Sequence, residues 1–447
     1  MGGLSTRVWR WSAAVLTAVG LVLVVVGLPH ASASSPTSRS AASLSCPAAV
    51  RRLGTIAFVA RGRVELIDLA RCRITVRQAS GANEVRFSSD GRWLAHGNVA
   101  AGGHPSGPVV VPGHGGAGAA RSPLGKGIVA WGWSKHGSLL YGITSTGSLV
   151  SAPPAGGRRV IASSLPASAS LVQNGPLALS PDGQRAAVDV SSCSPSTVGE
   201  IDAIDLHTGV RTVVVRKAGD FFTFAGWSSD GRWLLFWAAS MCSGSLAADG
   251  WPLEAVPAGG GTSVRVVPHM LLYDDFLSWC GNDLIAAAGR DRETNTQSKL
   301  LSIAPPGWHA RTIQPARALS WVSPACAPGG HVLVAAAGPN NAPGIFGQED
   351  RSIWLLRAGG AVVRRLSDPP SADLSDEAPR FSRNGRWILF VRSRVLTAGF
   401  NNSSRDTIEL ARRSGAGGAI PIVSFTSGDF SFYDHFDWPY EIAWYQP

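Results

Sequence analysis

The sequence is poor in charge, with Asp, Glu, Lys and Arg making up only 16% of its 447 residues. After the first 30 positions it has no long amphipathic helical stretch, and 52 Gly and 29 Pro argue against long helices. The usual signatures of catalysis are missing as well. There is no Gly-x-Ser-x-Gly elbow and no His-Glu-x-x-His, and the ten His are dispersed singly. No two cysteines stand at Cys-x-x-Cys spacing, which argues against a zinc site or a dithiol redox motif. Basic residues are nearly all Arg, scattered as Arg51-Arg52, Arg158-Arg159, Arg364-Arg365 and Arg412-Arg413. A phosphate backbone needs a concentrated patch, so nucleic acid is not an expected partner. No motif calls for a cofactor or a metal ion. What remains is a chain with 45% hydrophobic residues, enough for a large core and mostly β in character.

The first residues read as a targeting segment. Arg7 and Arg10 precede the uncharged run Ala13 to Leu28, followed by Pro29 and the small-residue pattern Ala31-Ser32-Ala33. That order suits a signal peptide over residues 1–33, cleaved after Ala33. An uncleaved anchor is the alternative, since the run approaches the ~20 residues that span a bilayer. Cys46 lacks the Leu three positions earlier that a lipobox needs. Residues 34–50, rich in Ser and Ala at their start, read as a spacer. The mature chain is expected outside the cytoplasm, as a monomer that meets a membrane only if its N-terminal segment is retained. Loss of Arg7 and Arg10 leaves a net charge of +8, suited to an anionic wall or membrane surface. Six cysteines in an exported chain imply disulfides.

From Arg51 onward the chain repeats itself. FSSDGRWLAHG (Phe87 to Gly97), WSSDGRWLLFW (Trp227 to Trp237) and FSRNGRWILFV (Phe381 to Val391) share an aromatic residue, a polar turn and an apolar run. LSPDGQRAAVD (Leu179 to Asp189) and WGWSKHGSLLYGI (Trp131 to Ile143) are further copies. Asp-Gly and Asn-Gly are strong hairpin signals because these residues adopt positive φ cheaply. The anchoring positions Phe87, Trp133, Leu179, Trp227, Trp279, Trp321 and Phe381 are spaced by 46, 46, 48, 52, 42 and 60 residues. Four short strands per period of that length predict an all-β propeller. The triplet TIAFVA, VELIDL and ITVR at residues 55–77 lacks an innermost strand, which the C-terminal residues His435 to Tyr445 can supply. Seven units and one blade shared by the termini make eight blades; seven is the alternative.

At these residues the chain resembles the TolB-like propeller repeat of exported bacterial proteins. LSPDG at Leu179 to Gly183, VELIDL, IDAIDLHTG at Ile201 to Gly209 and RRLS at Arg364 to Ser367 carry the likeness, which covers almost everything after Arg51. The resemblance implies the fold strongly and the function weakly, since such propellers serve as docking platforms, peptidase gates and ligand binders. Two departures stand out: no separate α/β domain precedes the repeats, and more than six blades are written. By position in the repeat, Cys193 pairs with Cys242 and Cys280 with Cys326, which leaves Cys46 with Cys72.

The Asp-Gly carboxylates, Asp90, Asp182 and Asp230, and Asn384 are expected to accept hydrogen bonds from their own turns. A second recurrence concerns ligands. Glu84, Asp275, Glu377 and Asp434 lie three or four residues ahead of their anchoring aromatics, and Asp220 somewhat earlier. Propeller topology puts them where the chain enters the innermost strands, around the central channel. Such a partial acidic ring could hold a cation or a basic or sugar ligand, or each acid could cap its loop or pair with an Arg such as Arg86 or Arg380. The long connections between second and third strands emerge on the same face and carry Arg290, Asp291, Asp350 and Arg405, as a binding surface would. The expected role is therefore a non-enzymatic binding or scaffold module for a protein or cell-envelope polysaccharide. The alternative is a glycosidase or lyase with two carboxylates at the channel mouth. Trp251 and Trp308 are candidates for sugar stacking, although most Trp should be core.

Overall fold

A computed structural model describes residues 44–447 apart from 78–80, 98–106, 117, 166–176, 192–197, 240–249, 290–297, 314–317, 340–349, 398–402 and 428–437. The segment 1–33, the spacer up to residue 43, Cys193, Cys242, Arg290, Asp291 and Asp434 lie outside the described residues. Eight antiparallel sheets follow one another along the chain as the blades of a β-propeller. Strands are lettered a to d from the central channel outward. The innermost strands of blades 2 to 8 are Glu84–Phe87, Ile128–Trp133, Ala178–Leu179, Phe221–Trp227, Leu277–Cys280, Leu319–Cys326 and Ser375–Phe381. Blade 1 takes its strands b to d from Thr55–Ala60, Arg63–Asp68 and Arg73–Arg77, and its strand a from Ile442–Tyr445. Thr55 stands opposite Tyr445 across that junction. The blade is shared by the termini as the repeat count predicts, with one difference of detail. Of the stretch His435 to Tyr445, Ile442–Tyr445 form strand a and Trp438–Glu441 a single helical turn ahead of it. In blade 2 the place of strand d is held by an isolated bridge between Val110 and Arg121.

The sequence pattern follows from this stacking. Strands b and c are covered on both faces by neighbouring blades, so they read as nearly continuous apolar runs, as in the buried Leu234 to Ala238. Strand d has no outer neighbour and mixes Arg with exposed Val, as in Val362–Arg365; its residues, like those of His309–Thr312, are all exposed. The core is accordingly a series of layers between blades, such as the one formed by Ala187, Ile201, Phe222, Trp227, Phe236 and Val256. None of the seven described outer edge strands β-paired as d carries an acid, and six carry Arg, which blunts edge-to-edge pairing.

The Asp-Gly turns repeat one hydrogen-bond unit. In the first, Ser88 Oγ donates to Asp90 (2.6 Å) and accepts from the Trp93 N–H (3.1 Å), while Gly91 supplies φ +66°. The same unit joins Ser180 to Asp182 at 2.5 Å, Ser228 to Asp230 at 2.6 Å and Ser382 to Asn384 at 2.8 Å. Bonds from Ser180 and the Gln184 N–H hold the Asp182 carboxyl below its usual range. Adjacent turns also touch around the ring: Ser89 Oγ donates to Gly137 O (2.7 Å) and Ser229 Oγ to Gly281 O (2.8 Å). The anchoring Trp133 and Trp227 each donate an indole N–H to the innermost strand of the preceding blade, at Arg86 O and Ala178 O.

Trp321 is not the anchor of blade 7. It is fully buried early in strand a, and Cys326, opposite Leu333 next to the turn, holds the anchoring position. Cys326 is bonded to Cys280, which ends strand a of blade 6, with a Cα–Cα distance of 5.4 Å. A second disulfide, Cys46–Cys72, ties the residues ahead of blade 1 to its outer turn. Those residues, including buried Val50 and Leu53, pack onto the fold, and Ser45 N–H donates to Ile422 O of blade 8.

Candidate functional site

Three innermost strands and the C-terminal turn bring a charged group together in the channel. Arg86, midway along strand a of blade 2, pairs with buried Glu84 and lies over the rings of Trp131 (5.8 Å) and Tyr440 (5.5 Å). Burial raises the Glu84 carboxyl above its usual range, and the Arg86 charge works against that rise. A short 3-10 turn, Asp274–Phe276, precedes strand a of blade 6. Asp275 accepts from Ser323 Oγ of blade 7 at 2.6 Å, and Asp274 accepts from the Tyr440 hydroxyl. Arg380, on strand a of blade 8, donates to the carbonyls of Ile442 (2.6 Å) and Trp438. Burial pulls its guanidinium down to about 10, with Asp275 acting to raise it and Arg86 to lower it further, so it remains a cation at neutral pH. A cavity of about 470 Å³ lies among Arg86, Asp275, Arg380 and Tyr440.

The other sequence-predicted residues are spread more widely. Glu377 is buried and faces Arg351 at 3.5 Å. Asp220 pairs with Lys217 at 2.5 Å on the way from strand d of blade 4 to strand a of blade 5. Asp350 has φ +60° and donates its N–H to Leu374 O. Arg405 is exposed on strand c of blade 8, opposite Arg394. Among the described residues, no three His, Cys, Asp or Glu side chains gather where they could hold a metal ion. Trp251 and Trp308 are buried.

A second cavity of about 480 Å³ opens sideways from the same channel. Strand a of blade 4 consists of Ala178 and Leu179, paired with Ala187 and Ala186, whereas strand b continues from Arg185 to Asp189. Val188 and Asp189, at the end of that strand b, line the space together with Trp133 of blade 3 and Phe224 of blade 5. Arg86 and Asp274 close it on the channel side, and Lys135, from the turn of blade 3, reaches into it. Asp189 accepts from the Ser191 N–H at 2.9 Å, and burial pushes its carboxyl up to about 6. Raised carboxyls are not special to this cavity. Burial carries Asp202, bonded to Arg211, to about 6, and Glu409, beside Arg392, to about 7, both within the blades. Lys135, Asp189, Asp274 and Tyr440 are the members that sequence reasoning missed.

No family model and no curated protein matches the chain. Among solved structures it is similar to a prolyl endopeptidase, with TM-score 0.50 and 10% identity over 85% of this chain and 51% of the other. The chain thus spans about half the length of that protein. It is also similar to an oligogalacturonate lyase solved with manganese (TM-score 0.45, 14% identity, 77% of this chain and 88% of that one). A third similar structure is a TolB from Agrobacterium tumefaciens (TM-score 0.36, 14% identity, 65% of this chain and 94% of that one). At these identities the likeness concerns the propeller fold alone.

Proposed function

We propose that the chain is an exported, non-enzymatic binding module that presents the face carrying its b–c connections to a protein or cell-envelope polysaccharide. The reading includes a signal peptide over residues 1–33 and a monomeric propeller over residues 51–447. The observation that supports it is the state of the candidate acids: Glu84, Asp275, Glu377 and Asp220 each have an Arg, Lys or Ser partner. A glycosidase needs one carboxyl to give a proton and another poised to attack or activate water, which acids held this way do not supply. A second reading, a lyase or glycosidase, draws on Asp189 and Asp274, two carboxyls bordering one cavity. The test is co-sedimentation of the chain from Ser34 onward with purified peptidoglycan and uronate polysaccharides, with new reducing ends and unsaturated products measured in parallel. Saturable binding without product, weakened by Arg405→Glu on the loop face, supports the module. Product formation abolished by Asp189→Asn would establish the enzyme instead.

A further inference from the structure

The turn of blade 8 departs from the unit that other blades repeat. In FSSDGRW (Phe87 to Trp93) and WSSDGRW (Trp227 to Trp233) the turn carboxylate answers an Arg two residues on, Asp90 to Arg92 at 3.8 Å and Asp230 to Arg232 at 2.5 Å. In FSRNGRW (Phe381 to Trp387) Asn384 builds the same turn without a charge, so Arg386 has no such carboxylate. Arg383 also stands where the other two turns have Ser89 and Ser229.

More arginines gather around this turn. Arg413 donates its backbone N–H to Arg386 O, and its guanidinium is 3.8 Å from where a Cβ on Gly385 would stand. Arg412 lies over the Trp387 ring at 4.7 Å, and Arg364 of blade 7 donates to Ser414 O. Toward blade 1, the Arg383 N–H bonds to Gln446 (2.7 Å), next to the Tyr445 carbonyl that Gly54 packs against, and Arg51 and Arg52 precede Gly54 closely. These seven side chains are exposed, and among the described residues none pairs with an acid. Asp68, at the outer turn of blade 1, is already taken by Arg71 at 2.6 Å. The neighbouring c–d turns, AGGA at 358–361 and SGAGG at 414–418, carry nothing larger than Ser, so the guanidinia stand on a low surface that a flat partner can approach. The chain also joins the propeller here: Ser45 N–H donates to Ile422 O of blade 8, and upstream the sequence carries the spacer and the uncharged run Ala13 to Leu28.

We propose that this turn face of blades 7, 8 and 1 docks on an anionic phospholipid surface, with Arg383, Arg386 and Arg413 at its centre. Clustered like charges without counter-charges gain most from a partner that supplies many anions at once. The a–b and c–d turns lie opposite the b–c connections, so the loop face would point away from the bilayer. What the loop face binds is a separate matter, and failure of either reading leaves the other standing.

The test is sedimentation of the chain from Ser34 onward, which lacks the apolar run, with vesicles of phosphatidylglycerol mixed into phosphatidylcholine. Binding is expected to exceed that to pure phosphatidylcholine by about tenfold or more and to fall steeply with added salt. Arg383→Ala/Arg386→Ala/Arg413→Ala should weaken it about a hundredfold, at about fivefold per Arg. Arg61→Ala/Arg63→Ala/Arg265→Ala makes the same change in net charge at exposed residues away from the patch, and should stay within about threefold of the parent. Both variants should melt with the parent, which separates a lost surface from a lost fold. Equal binding to the two kinds of vesicle, or equal losses in the two variants, would overturn the assignment. So would binding to soluble polyphosphate without binding to the mixed vesicles, which would make the partner a dissolved or wall-borne polymer.

Discussion

Arg380→Met removes the contact that joins blade 8 to the C-terminal strand. The guanidinium donates to Trp438 O, at the start of the helical turn, and to Ile442 O, at the start of the strand a of blade 1 that the turn leads into. Two charge-assisted bonds are worth about 1.5–3 kcal/mol each. The variant also relieves the desolvation of a buried cation, which opposes folding, so the lower end applies and the net loss is about 3 kcal/mol. Unfolding entropy of about 2.1 cal/mol/K per residue gives about 0.8 kcal/mol/K for roughly 400 residues, hence a fall in Tm of about 4 °C. Arg383 is the control: its side chain is exposed and only its backbone N–H bonds, to Gln446, so Arg383→Ala should stay within about 0.5 kcal/mol of the parent. Calorimetry measures the loss, and limited proteolysis at the C-terminus locates it. If Arg380→Met melts within about 1 °C of the parent, a shift smaller than any kcal-scale loss predicts, or its C-terminus is cut no faster, the clamp described here does not exist.

Further predictions concern the turns, the disulfides and pH. Gly91→Ala and Gly137→Ala both place a side chain at positive φ, but only the first drives a Cβ to 2.1 Å from the Tyr445 ring. Gly137→Ala should cost about 1 kcal/mol and Gly91→Ala several times more, measured by urea unfolding. Loss of Cys280–Cys326, which closes a 46-residue separation, should cost about 4 kcal/mol on chain entropy, read as the difference between oxidised chain and a double Ser variant. Unreduced peptide mapping should also recover Cys193 linked to Cys242; any other partner for either would show that the repeat positions misassign that pair. Burial carries Glu409 from an ordinary 4.5 to about 7 in the fold, so its protonated form is favoured there. Its contribution is therefore fully present below pH ~4.5 and lost as pH rises through about 7, up to about 3 kcal/mol. Glu409→Gln should flatten that part of the stability curve, and an equally steep curve would place the titration elsewhere.

The repeat was legible because its signal is local: a Ser, an Asp or Asn and a Gly within four residues build a turn whose defining bond joins two of its own side chains. The blade count followed from that spacing. Blade 7 was misread at Trp321 because Ala327-Pro328-Gly329-Gly330 makes the turn without Asp, and a buried Trp nearby looked like the missing anchor. The channel was far less legible. Arg86, Asp274 and Tyr440 meet only through ring closure, and none of the three stands in a repeated motif. Lys135 read as an ordinary turn residue and Asp189 as the end of a strand. The one local hint of the cavity was Leu179, an aliphatic residue where most other blades set an aromatic.

Ring closure also orders events in time. Thr55–Ala60 finds its inner partner only in Ile442–Tyr445, nearly four hundred residues later. Contacts of such long separation slow folding, because the chain must be gathered before the pairing returns any energy. A chain delivered N-terminus first would hold the inner edge of blade 1 unpaired until the last few residues arrived. Exposed strand edges recruit other chains. The interval between delivery of residue 60 and residue 445 is therefore when this protein is most open to aggregation, and when a chaperone that covers one β-edge would have its greatest effect.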